Sequence, residues 1–185
     1  MLRSAPYTPN FESEHRMSAP ESGPNTTNPS IAAERDLDAA MDMASASVLI
    51  VDDHEQNREL LQAYLEEIGC DTRLAADGIE ALALIEEQQP DLILLDVMMP
   101  RMSGFQLCSK IKSNPETRDI SIVMVTALSE VGDVERAVEC GADDFLTKPV
   151  NKLELVTRVR SLLRVRLLKR ELEKTLRQMK DMGRN

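Results

Sequence analysis

The sequence predicts an α/β fold with a doubly wound, five-stranded parallel sheet and an extended C-terminal helix. From Ser47 onward, short apolar segments alternate with amphipathic segments of helical period. In addition, the stretch 91–100 contains four consecutive apolar residues that end at Asp96, which is typical of a central strand covered on both faces. Because parallel strands need right-handed crossover connections, these units predict one sheet with helices on both faces.

Each predicted element has a local reason. In the helices, apolar residues recur at helical spacing, as Val138 and its neighbours do in the fourth helix, and we expect them to face inward. Gly69 and Gly141 follow helices, where a left-handed residue ends the helix. Asn151 and Glu154 form a capping-box-like pair at the start of the last helix. The predicted strands are 48–51, 72–75, 92–95, 120–126 and 144–147, and the predicted helices are 55–68, 79–88, 104–113, 130–139 and 152–182.

Composition narrows the class of protein. The 185-residue chain has a formal charge of -10, which argues against a general nucleic-acid binder. No apolar run approaches the roughly 20 residues that span a bilayer, and the three cysteines lack zinc or disulfide spacing. We therefore expect a soluble, cytoplasmic protein with no membrane partner. The predicted domains are a disordered or weakly helical leader (1–46), the α/β domain (47–164) and an extension of the last helix that can form a short coiled coil (165–185).

Polar side chains follow four strands of the predicted sheet. Asp52 and Asp53 end the first strand, Asp96 the third, Thr126 the fourth and Lys148 the fifth. In a flavodoxin-like order of 2-1-3-4-5 these strands are neighbours, so the side chains converge at the carboxyl edge, where ligands bind. Three carboxylates in one pocket favour a hard divalent cation, and oxygen ligands indicate Mg²⁺. The lysine and threonine suit phosphoryl oxygens, so the aspartate of the third strand is a candidate nucleophile toward phosphorus.

Four motifs carry a resemblance to a known family. They are Val-Asp-Asp at 51–53, Leu-Leu-Asp-Val-Met-Met-Pro at 94–100, Val-Thr-Ala at 125–127 and Lys-Pro at 148–149. In this order and spacing, over about residues 47–165, the chain resembles the receiver domain of bacterial two-component response regulators. The resemblance implies a phosphorylation-dependent signalling switch. Asp96 would take a phosphoryl group from a histidine kinase or a histidine phosphotransfer protein in a Mg²⁺-dependent reaction.

The resemblance also implies which residues bind the metal. Asp53, Asp96 and the backbone carbonyl of Met98 would be ligands. Asp52 would assist through water. His54 lies beside the acidic pair, and we expect its ring to face solvent at the start of a helix rather than to bind the metal. We expect the apolar side chains of Met98 and Leu128 to flank the site and to restrict the access of an attacking water.

A switch pair is implied as well. Thr126 and Phe145 would change position together, with Ala127 small enough to admit the phosphoryl group. Phenylalanine has no hydroxyl, so a switch here would work by packing. The resemblance places the response on the face made by the fourth predicted helix, the fifth strand and the last helix. It also implies a cis peptide bond before Pro149.

The sequence allows two interpretations of the function of the C-terminal tail. Its preferred interpretation is a dimer-forming or signal-transmitting helix, because apolar residues recur at 3-4 spacing in Val165, Leu168, Leu172, Met179 and Met182. The second candidate is nucleic-acid binding by its basic residues, since 158–185 carries 10 basic and 3 acidic side chains. For the protein as a whole, a further candidate class is a true enzyme that acts at Asp96, for example an aspartate-nucleophile phosphatase. Such enzymes need a carboxylate where this chain has Met98, so we expect only self-phosphorylation and slow autodephosphorylation.

Overall fold

The computed structural model describes residues 43–127, 136 and 138–182, and it contains one parallel sheet with helices packed on both faces. A short 3-10 helix at Met43–Ser45 leads into the first strand. The strands are β1 (Ser47–Val51), β2 (Asp71–Ala75), β3 (Leu92–Asp96), β4 (Ser121–Thr126) and β5 (Asp144–Thr147). The helices are α1 (Glu55–Leu65), α2 (Gly78–Glu87), α3 (Gly104–Ser113) and the C-terminal helix (Lys152–Met182). The predicted leader, most of the predicted fourth helix and residue 128 lie outside the described residues.

The sheet has the order β2-β1-β3-β4-β5, as predicted, and every described pair of strands is parallel. Along β1, Leu49 and Val51 face the side covered by α2 and α3, whereas Val48 and Ile50 face α1 and the C-terminal helix. This alternation follows from the two-residue period of a strand. Both faces are apolar because both are covered, which explains the near-continuous apolar runs of the central strands.

The predicted helix ends are confirmed, whereas the predicted orientation of one helical residue is wrong. Gly69 and Gly141 have φ of 76° and 83°, in the left-handed region predicted for them. The backbone N–H of Glu154 donates to Asn151 Oδ1 over 3.1 Å, so the predicted cap is present. The inward orientation predicted for Val138 is wrong, because its side chain is 70% exposed. Apolar spacing alone did not distinguish a helix that covers a core from one that leaves a valine in solvent.

The C-terminal helix is fastened to the amino edge of the sheet, opposite the carboxyl edge. Its first turns pack on the sheet as predicted, and burial continues to Leu167. Beyond that point, Nη1 of Arg170 donates to both oxygens of Asp91 over 3.1 Å, and Arg166 Nε lies 3.8 Å from the same carboxylate. Asp91 is 4% exposed and also accepts the backbone N–H of Ser47 over 3.0 Å. An ionic cluster of Asp91, Arg166 and Arg170 therefore holds this part of the helix at the amino edge of the sheet.

The rest of the C-terminal helix leaves an apolar stripe in solvent. The stripe extends over about the last five turns. Its side chains are between 50% and 71% exposed, and they are Val165, Leu168, Leu172, Leu176, Met179 and Met182. The sequence prediction contained all of these except Leu176. Within the described residues, no helix is long and apolar enough to cross a bilayer.

Candidate phosphoacceptor site

Four strands bring the predicted polar residues together at the carboxyl edge of the sheet. Asp96 is the last residue of β3 and Thr126 the last of β4, while Asp52 and Lys148 directly follow β1 and β5. Because β1, β3, β4 and β5 are adjacent in the sheet, these residues converge although they are distant in sequence. Asp52, Asp96 and Thr126 are buried, and a buried aspartate normally needs a partner of opposite charge.

Lys148 connects the two buried carboxylates. Its Nζ lies 2.8 Å from Asp52 Oδ2 and 3.0 Å from Asp96 Oδ1. Burial lowers the pKa of Lys148, but its hydrogen bonds to both aspartates outweigh burial and raise the pKa above its ordinary value. The lysine is therefore a fixed positive charge at the point where an anionic group bound to either carboxylate would need compensation.

Asp96 is a buried carboxylate at the end of β3. It is 4% exposed, and burial raises the pKa of its carboxyl group, although the bonded Lys148 and the backbone N–H of Met98 act in the opposite direction. The following chain turns away tightly, because the N–H of Gly104 donates to the carbonyl of Val97 over 3.0 Å. A Cβ on Gly104 would lie 2.2 Å from the carbonyl oxygen of Asp96. Glycine is thus the residue that fits behind the loop that follows Asp96.

Asp53 and His54 complete the acidic end of the site. Donor atoms of Asp52, Asp53 and His54 all lie within 4.8 Å of one another, so this group can hold a metal ion. The imidazole is exposed, as expected, yet its Nδ1 is 2.8 Å from Asp53 Oδ1, a contact the sequence prediction did not include. Hard carboxylate oxygens beside a lysine and a buried third carboxylate fit Mg²⁺ better than a soft transition metal.

Two residues of α1 hold Asp52, and sequence reasoning missed both. Nδ2 of Asn57 lies 3.1 Å from Oδ1 and 3.0 Å from Oδ2 of Asp52. Nη1 of Arg58 donates to the backbone carbonyl of Asp52 over 2.6 Å. The available signal was a pair of polar residues in the first turn of the helix that directly follows the acidic pair. Such residues usually face solvent, so the pattern alone did not select them.

The remaining predicted residues lie on β4 and β5 or in the loops that follow β3 and β4. Met98 is exposed on the loop after β3, and Ala127 is exposed after β4. Phe145 lies on β5 beside Met124 of β4 and is 38% exposed, while Thr126 is paired in register with Thr147. The peptide bond between Lys148 and Pro149 is cis, as predicted. The structure therefore places the predicted switch residues on β4, which is next to the strand that ends at Asp96, and on β5, which is next to β4.

The sequence of this chain is similar to a known family and to individual known proteins. The response regulator receiver domain family matches residues 48–160. Response regulator PleD of Caulobacter vibrioides is 47% identical over 139 residues, which cover 75% of this chain and 31% of PleD. The DNA-binding dual master transcriptional regulator RpaA of Synechocystis is 43% identical over 117 residues, which cover 63% of this chain and 48% of RpaA. The chain thus spans less than half the length of these curated relatives.

A solved structure extends the likeness to the fold. The signal receiver domain of a signal transduction histidine kinase from Syntrophus aciditrophicus is 42% identical. It has a TM-score of 0.61, with 64% of this chain and 90% of that domain covered. The family match ends at residue 160, before the exposed part of the C-terminal helix.

Proposed function

Because the chain belongs to the response regulator receiver domain family, we propose that its phosphoryl acceptor is Asp96 and that the phosphorylated state is the signal. The observation that carries this proposal is the partly buried Lys148 nitrogen, which lies within 3.0 Å of carboxylate oxygens of both Asp52 and Asp96. This geometry gives one carboxylate to react, one to help bind a cation and one resident positive charge. Such an arrangement suits phosphoryl transfer, which depends on position and charge compensation.

The proposed transfer needs no general base. An oxygen of the ionised Asp96 carboxylate attacks the phosphorus of a phosphohistidine, a P–O bond forms and the P–N bond breaks. The leaving imidazole nitrogen keeps the electron pair of the broken bond. The ammonium of Lys148 and the hydroxyl of Thr126 then donate hydrogen bonds to the phosphoryl oxygens. The donor is a histidine kinase or a histidine phosphotransfer protein, because the acceptor chemistry requires a high-energy phosphoramidate.

We assign the metal to Mg²⁺, held by Asp53, Asp96 and the backbone carbonyl of Met98, with Asp52 acting through water. When bound, the ion compensates charge on the transferring phosphoryl group. This assignment is supported by the hard oxygen donors at the pocket and by the open position of Asp53 toward solvent. Receiver domains are generally not enzymes, and Met98 occupies the position where a phosphatase of this chemistry needs a carboxylate. We therefore infer self-phosphorylation and slow hydrolysis rather than turnover.

The proposed response begins at Thr126. Movement of its side chain toward a phosphoryl group on Asp96 would leave space beside β5, and the partly exposed Phe145 would turn into that space. The change alters the face that contains β5 and the C-terminal helix, which we propose as one surface for dimerisation or partner binding. A second dimer surface is the apolar stripe of the C-terminal helix, because six large exposed apolar side chains at 3-4 spacing favour pairing with another helix.

Nucleic-acid binding by the basic tail is not favoured. Arg158 contacts Asp144 and Glu154, and Arg166 and Arg170 contact Asp91. These guanidinium groups already have carboxylate partners, so they provide less free positive charge for phosphates than the composition predicted. We expect the protein to act in the cytoplasm, where phosphohistidine donors of this class are made.

Intact mass spectrometry tests the phosphoacceptor. The full chain is incubated with Mg²⁺ and a small phosphoramidate, beside Asp96→Ala and the exposed-site control Asp119→Ala. One phosphoryl group should be added to wild type and to the control, and none to Asp96→Ala or in EDTA. Addition to Asp96→Ala would refute the assignment. Light scattering of the same samples tests dimerisation. A phosphorylated wild type that stays monomeric would refute the proposal that either surface forms a dimer in response to phosphorylation.

A further inference from the structure

Asn57 holds the buried carboxylate of Asp52 from the first turn of α1. Its Nδ2 lies within hydrogen-bond distance of both carboxylate oxygens, at 3.1 Å and 3.0 Å. The backbone N–H of His54 donates to Oδ1 over 2.8 Å, and Lys148 donates to Oδ2 over 2.8 Å. Each oxygen of Asp52 therefore has two donors, and Asn57 is the group that contacts both.

Chemistry sets the orientation of the amide. An ionised carboxylate can only accept hydrogen bonds, so the NH₂ end of Asn57 must face Asp52. The amide is neutral, so it fixes the plane of the carboxylate without cancelling its charge. Lys148, by contrast, is a cation that attracts Oδ2 toward the phosphoacceptor. Without the amide, only the backbone N–H of His54 would oppose that attraction.

We propose that Asn57 is a positioning residue for Mg²⁺ binding: it fixes the plane of the Asp52 carboxylate, so that Oδ1 stays on the cation side of the pocket while Oδ2 remains bonded to Lys148. The inference rests on the proposed Mg²⁺ site and adds to it a residue from outside the set of strand-end positions. Arg58 supports the same arrangement by bonding the backbone carbonyl of Asp52 over 2.6 Å. The start of α1 thus restrains both the side chain and the main chain of Asp52.

The test compares two amide-to-leucine changes on adjacent residues. Asn57→Leu removes the donor and keeps the number and branching of side-chain heavy atoms, and Gln56→Leu replaces an amide by leucine on the exposed face of the same turn. Isothermal calorimetry with MgCl₂ measures the dissociation constant. We expect Asn57→Leu to weaken Mg²⁺ binding about tenfold, the lower end for loss of a residue that orients a metal ligand, and Gln56→Leu to match wild type.

A second readout separates positioning from general damage. At saturating Mg²⁺, the phosphorylation rate of Asn57→Leu with a small phosphoramidate should stay within about twofold of wild type, because the metal itself then orients the carboxylates. Mg²⁺ affinity equal to that of wild type would overturn the inference, as would equal losses in affinity and saturated rate. If Asn57→Leu does not fold in a urea titration, Asn57→Ser is measured by the same criteria. Failure of wild type to bind Mg²⁺ would refute the metal site itself, which is a different result.

Discussion

The ionic cluster at Asp91 allows a stability prediction that is independent of phosphorylation. Asp91→Asn keeps the size of the side chain and an oxygen that can accept the N–H of Ser47, but it removes the charge that faces Arg166 and Arg170. Arg166 Nε is buried and has no hydrogen-bond partner, so the nearby carboxylate is what compensates its charge. The substitution should therefore lower the free energy of unfolding and loosen the C-terminal helix.

The expected size follows from the exposure of the partners. Removing one member of a fully buried ion pair costs roughly 3–5 kcal/mol. Arg170 is 41% exposed and regains water when its partner is lost, which reduces the effect. We therefore expect a loss of about 2 kcal/mol for Asp91→Asn. Asp91→Ala should cost about 3 kcal/mol, because the buried N–H of Ser47 also loses its acceptor.

Urea unfolding followed by far-UV circular dichroism measures both variants, since the chain has no tryptophan. The matched control is Asp119→Asn, an exposed aspartate that also precedes a strand, and it should change stability by less than about 0.5 kcal/mol. Hydrogen exchange should show reduced protection around Leu167 in Asp91→Asn only. Equal unfolding free energies for Asp91→Asn and Asp119→Asn would show that the cluster does not hold the helix.

Three further predictions concern the phosphoacceptor loop. Gly104→Ala should lower the free energy of unfolding by about 3 kcal/mol, since the new Cβ meets the backbone of Asp96. Gly78→Ala should cost about 1 kcal/mol or less, because its new Cβ meets only the side chain of Met102. Equal losses in urea titrations would contradict this reasoning. Asp96→Asn should stabilise the metal-free protein at pH 7, because burial raises the pKa of this carboxyl group. Wild type loses stability as pH rises from the ordinary pKa of 3.8 through the raised pKa, so the gain should vanish below about pH 4. A gain that is constant with pH would refute this cause. Met98→Asn should speed autodephosphorylation severalfold by admitting water to the exposed loop, and an unchanged rate of phosphoryl loss by mass spectrometry would exclude that role.

Much of the site was predictable because it depends on local pattern and topology. The apolar run before Asp96 identifies a covered strand, and the alternation of strands with helices allows few sheet orders. Once the order is 2-1-3-4-5, residues that end strands must meet at one edge, so the proximity of Asp52, Asp96 and Lys148 follows without knowledge of side-chain contacts. The strand registers and the burial of Asp52 and Asp96 agree with that deduction.

Contacts made by helical side chains were decided only by the tertiary structure. The rotation of α1 about its axis, which packing sets, determines that Asn57 reaches Asp52 while Gln56 faces solvent. The path of the C-terminal helix across the amino edge likewise brings Arg170 to Asp91, 79 residues earlier in the chain. Sequence spacing specifies which residues share a helical face, but not which neighbour that face will meet. The chemistry at the ends of the strands could therefore be deduced from sequence, whereas the groups that hold that chemistry and the helix in place could not.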